Sequence, residues 1–88
     1  MKAILCANPG GPEVLQLTEV PDPVPGPEDL LVRVRASALN RADTLQRRGL
    51  YPPPPGESAI LGLELAGEVL AVGTHAPGFV PGDRVFGL

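Results

Sequence analysis

Apolar residues return at every second position in three stretches of this chain, and that period belongs to β-strands. Over residues 14–20, Leu15 and Leu17 fall on one side and Gln16 and Thr18 on the other, which predicts a half-buried strand with the leucines inward. Residues 30–38 alternate most clearly. Leu30, Val32, Val34, Ala36 and Ala38 are expected to face a core, and Leu31, Arg33, Arg35 and Ser37 to lie partly in solvent. Over residues 63–72, Leu63, Leu65, Gly67, Val69 and Ala71 alternate with Glu64, Ala66, Glu68, Leu70 and Val72. The second face turns apolar toward its end, so this strand is expected to pass from a one-sided surface into a two-sided core. Gly67 inside it predicts a bend or a close backbone approach. A short apolar run at 2–7 and another beginning at Asp83 bring the expectation to about five strands.

Asn40 breaks the two-residue period and starts a segment of helical character that ends at Gly49. Asn40 can cap it, Asp43 falls in the first turn, Arg47 and Arg48 close it, and Gly49 supplies a left-handed stop. Ala42 and Leu45 share one face. Two turns are too short to stand alone, so the helix must dock on the strands. The rest is punctuation. Asn8-Pro9-Gly10-Gly11 reads as a turn that does not open a helix. Proline at every second position over residues 21–27 reads as an extended loop joining two strands. Leu50 to Gly56 forms a stiff loop with four consecutive prolines after Tyr51. Val72-Gly73 opens a turn region that runs to Gly82.

Composition narrows the function. Seven Lys and Arg against ten Asp and Glu give a net charge of −3, with no basic footprint for nucleic acid. Three aromatics, Tyr51, Phe79 and Phe86, are too few for a base-stacking platform. One cysteine, Cys6, rules out an internal disulfide framework, and with a single histidine, His75, it rules out the ordinary structural zinc sites. No apolar stretch is long enough to span a membrane or to act as a secretory signal, so a cytoplasmic protein is expected. The 11 glycines and 12 prolines of these 88 residues would suggest disorder if scattered, but they cluster between apolar runs, and 43% of the chain is hydrophobic. A sheet that stops on an apolar strand would leave an orphan edge, which suggests the front part of a longer protein.

No Cys–His or Ser–His–Asp set and no glycine-rich phosphate cradle is present. His75 reads as an exposed loop residue and Cys6 as a small packing group. The remaining candidates are Asn40, Asp43, Tyr51 and Glu64. Asn40 is explained as a helix cap and Asp43 by the helix dipole. Tyr51 either presents its hydroxyl to a ligand or packs on its loop. Glu64 needs solvent or a partner such as Arg33, Arg35 or Arg41.

Taken together, Ala36 to Asp43, Gln46 to Gly56, Ile60 to Val69 and Phe79 to Val85 resemble the quinone oxidoreductase branch of the medium-chain dehydrogenase/reductase superfamily. The opening, Met1 to Ile4 and then Gly10 to Leu15, is similar to the usual N-terminus of that family. The resemblance implies a mainly β fold: residues 1–88 as the N-terminal portion of a GroES-like, partly open β-barrel, the catalytic domain of a longer oxidoreductase, without its Rossmann domain. It implies NADPH, less often NADH, as cofactor and a homodimer for the longer protein.

Zinc-dependent members of the superfamily place a ligating cysteine where this chain has Asn40 and a ligating histidine where it has Leu63. The resemblance therefore implies no catalytic metal, and a substrate that accepts hydride readily: a quinone or an activated enone. It places Asn40 and Arg41 along the nicotinamide-ribose side and Tyr51 toward the substrate carbonyl. Asp43 would support Asn40, and Glu64 would be a structural partner. The alternatives are a 2-enoyl thioester reductase of the same superfamily and a non-enzymatic GroES-like association module. The 88-residue chain by itself is expected to be inactive.

Overall fold

The computed structural model describes all 88 residues, Met1–Leu88. It divides into two compact units, one formed by Met1–Pro21 with Leu39–Leu63 and the other by Asp22–Ala38 with Glu64–Leu88. The mainly β expectation holds, with five strands and one short α-helix.

In the first unit, β1 (Lys2–Cys6) and β2 (Leu15–Glu19) form an antiparallel hairpin in which Lys2 opposes Glu19 and Cys6 opposes Leu15. The Met1 ammonium donates to the Val20 carbonyl at 2.7 Å, and the Val20 N–H returns a bond to Met1 at 2.8 Å, closing the open end. Alternation in β2 is as expected, but its sense is reversed. Directly opposed residues share a face, so Ile4, Leu15 and Leu17 line one side and Ala3, Leu5 and Thr18 the other. The second set is half-buried, while Leu17 is 67% exposed. A two-residue period fixes which side chains travel together; which side finds cover depends on the rest of the unit. The Gly10-Gly11 turn also does more than expected. Gly11 caps a single 3-10 turn over Pro12–Val14, in which Pro12 occupies a first position that needs no N–H donor.

In the second unit, β3 (Leu30–Ser37), β4 (Leu65–Val72) and β5 (Arg84–Gly87) make an antiparallel sheet with β4 in the centre. Val69 on β4 is the buried apolar side chain, 2% exposed. The β3–β4 register shifts twice, between Leu31 and Val32 and between Val34 and Ala36. The pairing passes over Leu70 on β4 and Arg35 on β3, which are therefore bulged residues. The second bulge corrects the strict alternation expected for β3. Past Arg35, Ala36 pairs with Ala66 on the face of Glu68, and Ser37 pairs with Leu65 on the face of Val69. Val34 is 52% exposed and Ala36 and Ala38 are exposed, so the inward row ends at Val32. Ala71 and Val72 are both half-buried, as a two-sided end requires, while the bulged Leu70 is exposed.

Gly67 meets its expectation. A Cβ built there would collide with the Arg33 carbonyl oxygen and lie 2.8 Å from Val32 Cγ1, so the two backbones approach where only a glycine fits. The proline-rich segment before β3 is irregular, as expected, and is tied down at its end. Asp29 Oδ2 accepts the Gly26 N–H at 2.8 Å, and the Pro27 carbonyl accepts from the His75 N–H at 2.7 Å. His75 is exposed, as its place in a loop implies. No helix is long and apolar enough to cross a membrane.

Candidate functional site

The candidate site grows from the helix of the first unit, α1 (Arg41–Arg47). Asn40 stands at its N-cap in extended backbone, φ −121° and ψ 157°, and forms a capping box with Asp43. Asp43 Oδ2 accepts the Asn40 N–H at 2.8 Å, and the Asp43 N–H donates to the Asn40 carbonyl at 3.0 Å. Two donors that the helix itself leaves unpaired are thereby satisfied. Asp43 is buried, 8% exposed, and its Oδ1 is enclosed without a hydrogen-bond partner. An enclosed acceptor without a donor costs free energy, so the rest of the unit holds this carboxylate in place against that cost.

At the other end, α1 is anchored across a separation of 37 residues. Arg47 Nε donates to the Gly10 carbonyl at 3.1 Å, and the Gly10 N–H donates to the Arg47 carbonyl at 3.0 Å. The Cys6 thiol donates to that same carbonyl at 3.7 Å and to the Asn8 carbonyl at 3.1 Å, so Cys6 is a weak donor at the helix end and not only the small packing group expected of it. Gly49 then takes φ +79°, the left-handed stop expected of it, and a Cβ there would lie 3.1 Å from Pro9. The Leu50 N–H donates to the Leu45 carbonyl at 2.9 Å, and Gln46 Nε2 reaches the Ala59 carbonyl at 3.2 Å. The proline loop is thus tied to α1 near both of its ends.

Tyr51 sits on this loop, 49% exposed, and its hydroxyl makes no hydrogen bond within the chain. Arg41 is exposed, with a guanidinium that engages no carboxylate. Asn40, Arg41, Asp43 and Tyr51 therefore all belong to the first unit. Glu64 belongs to the second, half-buried and one residue before β4. Of the partners expected for Glu64, Arg35 is engaged by Glu68 instead, Nε to Oε1 at 3.4 Å. No group of three or more His, Cys, Asp or Glu side chains is arranged to hold a metal ion. In the sequence Arg47 reads only as a charge at a helix end, and Gln46 carries no signal at all. Neither the Gly10 nor the Ala59 contact could be found there, because each partner is set by the fold.

The family model for the alcohol dehydrogenase GroES-like domain matches residues 26–87. A quinone oxidoreductase of Pseudomonas aeruginosa is 50% identical over 84 residues, 96% of this chain and 26% of that protein. An acryloyl-coenzyme A reductase of Sulfurisphaera tokodaii is 42% identical over 88 residues, 100% of this chain and 25% of that protein. The crystal structure of Escherichia coli quinone oxidoreductase complexed with NADPH superposes with a TM-score of 0.87 at 41% identity, covering 98% of this chain and 26% of that one. The chain spans about a quarter of the length of these relatives.

Proposed function

Because the chain belongs to the alcohol dehydrogenase GroES-like domain family, with quinone oxidoreductases of the medium-chain dehydrogenase/reductase superfamily among its relatives, we propose that residues 1–88 are the N-terminal portion of the catalytic domain of a longer NADPH-dependent quinone reductase. The observation that carries this reading is the prepared N-terminus of α1. Asn40 is fixed by a buried carboxylate, and the polar ends of Arg41 and Tyr51 are left uncommitted by the chain.

These residues fit a nicotinamide cofactor. An amide and a guanidinium offer donors to ribose hydroxyls, and the capping box orders the backbone from which both project. Asn40 and Arg41 would hold the nicotinamide-ribose side, where NADPH when bound supplies the hydride. Tyr51 would donate its hydroxyl proton in a hydrogen bond to the substrate carbonyl oxygen. That oxygen gains negative charge as the substrate is reduced, so the bond strengthens toward the transition state. Asp43 acts through Asn40, by fixing its backbone. Glu64 lies in the second unit and has a structural role. Asn40 and Leu63 cannot replace a thiolate and an imidazole as zinc ligands. The reaction in this reading proceeds without a metal, on a substrate that accepts hydride unaided, a quinone or an activated enone. The longer protein is a homodimer in the same reading, to be checked by light scattering.

The acryloyl-coenzyme A reductase relative favours a second reading, reduction of a 2-enoyl thioester at the same residues. Oxidation of NADPH by the longer protein, measured side by side with 1,2-naphthoquinone and crotonyl-coenzyme A, separates the two. A higher kcat/KM for the quinone is expected. A preference for the thioester selects the second reading, and turnover of neither overturns both.

A further inference from the structure

We propose that Arg47 is a positioning residue that holds Tyr51 in place, acting through the end of α1 and not through any contact with a ligand. Its catalytic meaning rests on the proposed role of Tyr51, whereas the mechanical claim stands on the fold.

The Arg47–Gly10 contact is reciprocal. Side-chain Nε donates to the Gly10 carbonyl at 3.1 Å, while the Arg47 carbonyl accepts from the Gly10 N–H at 3.0 Å. One residue therefore uses a backbone acceptor and a side-chain donor on the same glycine, which fixes both the height and the rotation of the helix end. Arginine suits this, because its planar group loses little freedom per bond formed. The Arg47 side chain is half-buried, whereas Arg48 beside it is exposed and makes no side-chain bond. The clamp sits four residues before Tyr51. Between them the backbone has little freedom. The N–H groups of Arg48, Gly49 and Leu50 donate to Thr44, Gln46 and Leu45 at 3.1, 3.0 and 2.9 Å, and Gly49 turns against Pro9. A seven-residue helix is too short to hold its own end rigid. Without the clamp, the last turn frays and the hydroxyl of Tyr51 loses a defined position.

Tyr51 is the only tyrosine and the chain has no tryptophan, so its fluorescence reports on this one side chain. The test compares the 88-residue chain with its Arg47→Gln, Arg47→Lys and Arg48→Gln variants, using tyrosine anisotropy decay and backbone amide order parameters. In Arg47→Gln the order parameters of Leu50 and Tyr51 are expected to fall from about 0.85 to below about 0.6, with a matching loss of slow anisotropy. Ala42 and Thr44, in the first turn, are expected to keep the order they have in the parent chain. Arg47→Lys should fall between, and Arg48→Gln should match the parent.

A rigid Tyr51 in Arg47→Gln, or an equal loosening in Arg48→Gln, overturns the proposal. Should Arg47→Gln lose its fold, Arg47→Lys carries the test, and parental order at Leu50 and Tyr51 in that variant overturns it. The readout does not involve turnover. A silent Tyr51→Phe in the reductase assay would therefore remove the hydroxyl's proposed role without changing this result.

Discussion

Asp43 takes the backbone N–H of Asn40 on one carboxylate oxygen, at 2.8 Å, while its other oxygen is enclosed without a partner. The pair makes the start of α1 a fixed point in the first unit. Replacing Asp43 by alanine removes the acceptor and frees a half-buried donor, so Asp43→Ala is expected to cost about 1–2 kcal/mol. Urea denaturation followed by circular dichroism checks this, and a midpoint equal to that of the parent would show that the capping box contributes nothing.

Gly67 tests the second unit in the same way. A methyl group there meets a backbone carbonyl oxygen, which cannot swing aside as a side chain can. Gly67→Ala is expected to cost about 3 kcal/mol, because β3 and β4 must separate to admit it. The urea midpoint should fall accordingly, and an unchanged midpoint would mean that the close approach is not a feature of the folded chain.

The Arg35–Glu68 ion pair should matter far less. Its side chains are 62% and 42% exposed, so water and salt screen the attraction. Glu68→Gln is expected to change stability by no more than about 0.5 kcal/mol. A larger loss in urea melts at physiological salt would show that the pair braces the bulge at Arg35.

The contrast between these sites shows how much of the molecule is legible in its sequence. The strands and α1 are readable because alternation, the Asn40 cap and the Gly49 stop are local signals, each carried by a few neighbouring residues. Gly67 is readable because a glycine interrupting an apolar strand gives up packing that only a close backbone approach requires it to give up. The covered side of β2 is not readable, since Leu15 and Leu17 say only that they share a face. The bulge at Arg35 is not readable either, because a register shift depends on the partner strand, and it moves Ala36 away from the expected core row. At the candidate site, the Asn40–Asp43 pair lies within one helical turn and is visible, whereas the Arg47–Gly10 clamp joins residues 37 positions apart and is not.

The proposed metal-free chemistry has its own consequence. Dialysis of the longer protein against a chelator is expected to leave the proposed NADPH-dependent quinone reduction unchanged, because Asn40 and Leu63 stand where a thiolate and an imidazole would be needed to hold zinc. Loss of activity on chelation, restored by added Zn²⁺, would reverse this expectation.

The proposed reduction turns on the hydroxyl of Tyr51, which this chain contributes to the carbonyl substrate. Its direct test is kcat for 1,2-naphthoquinone in the longer protein carrying Tyr51→Phe, at saturating NADPH. A fall of roughly 10- to 100-fold is predicted, at or below the roughly 100-fold lower limit of what a lost oxyanion donor costs, because the half-exposed side chain lets water substitute in part. An unchanged kcat would refute that role.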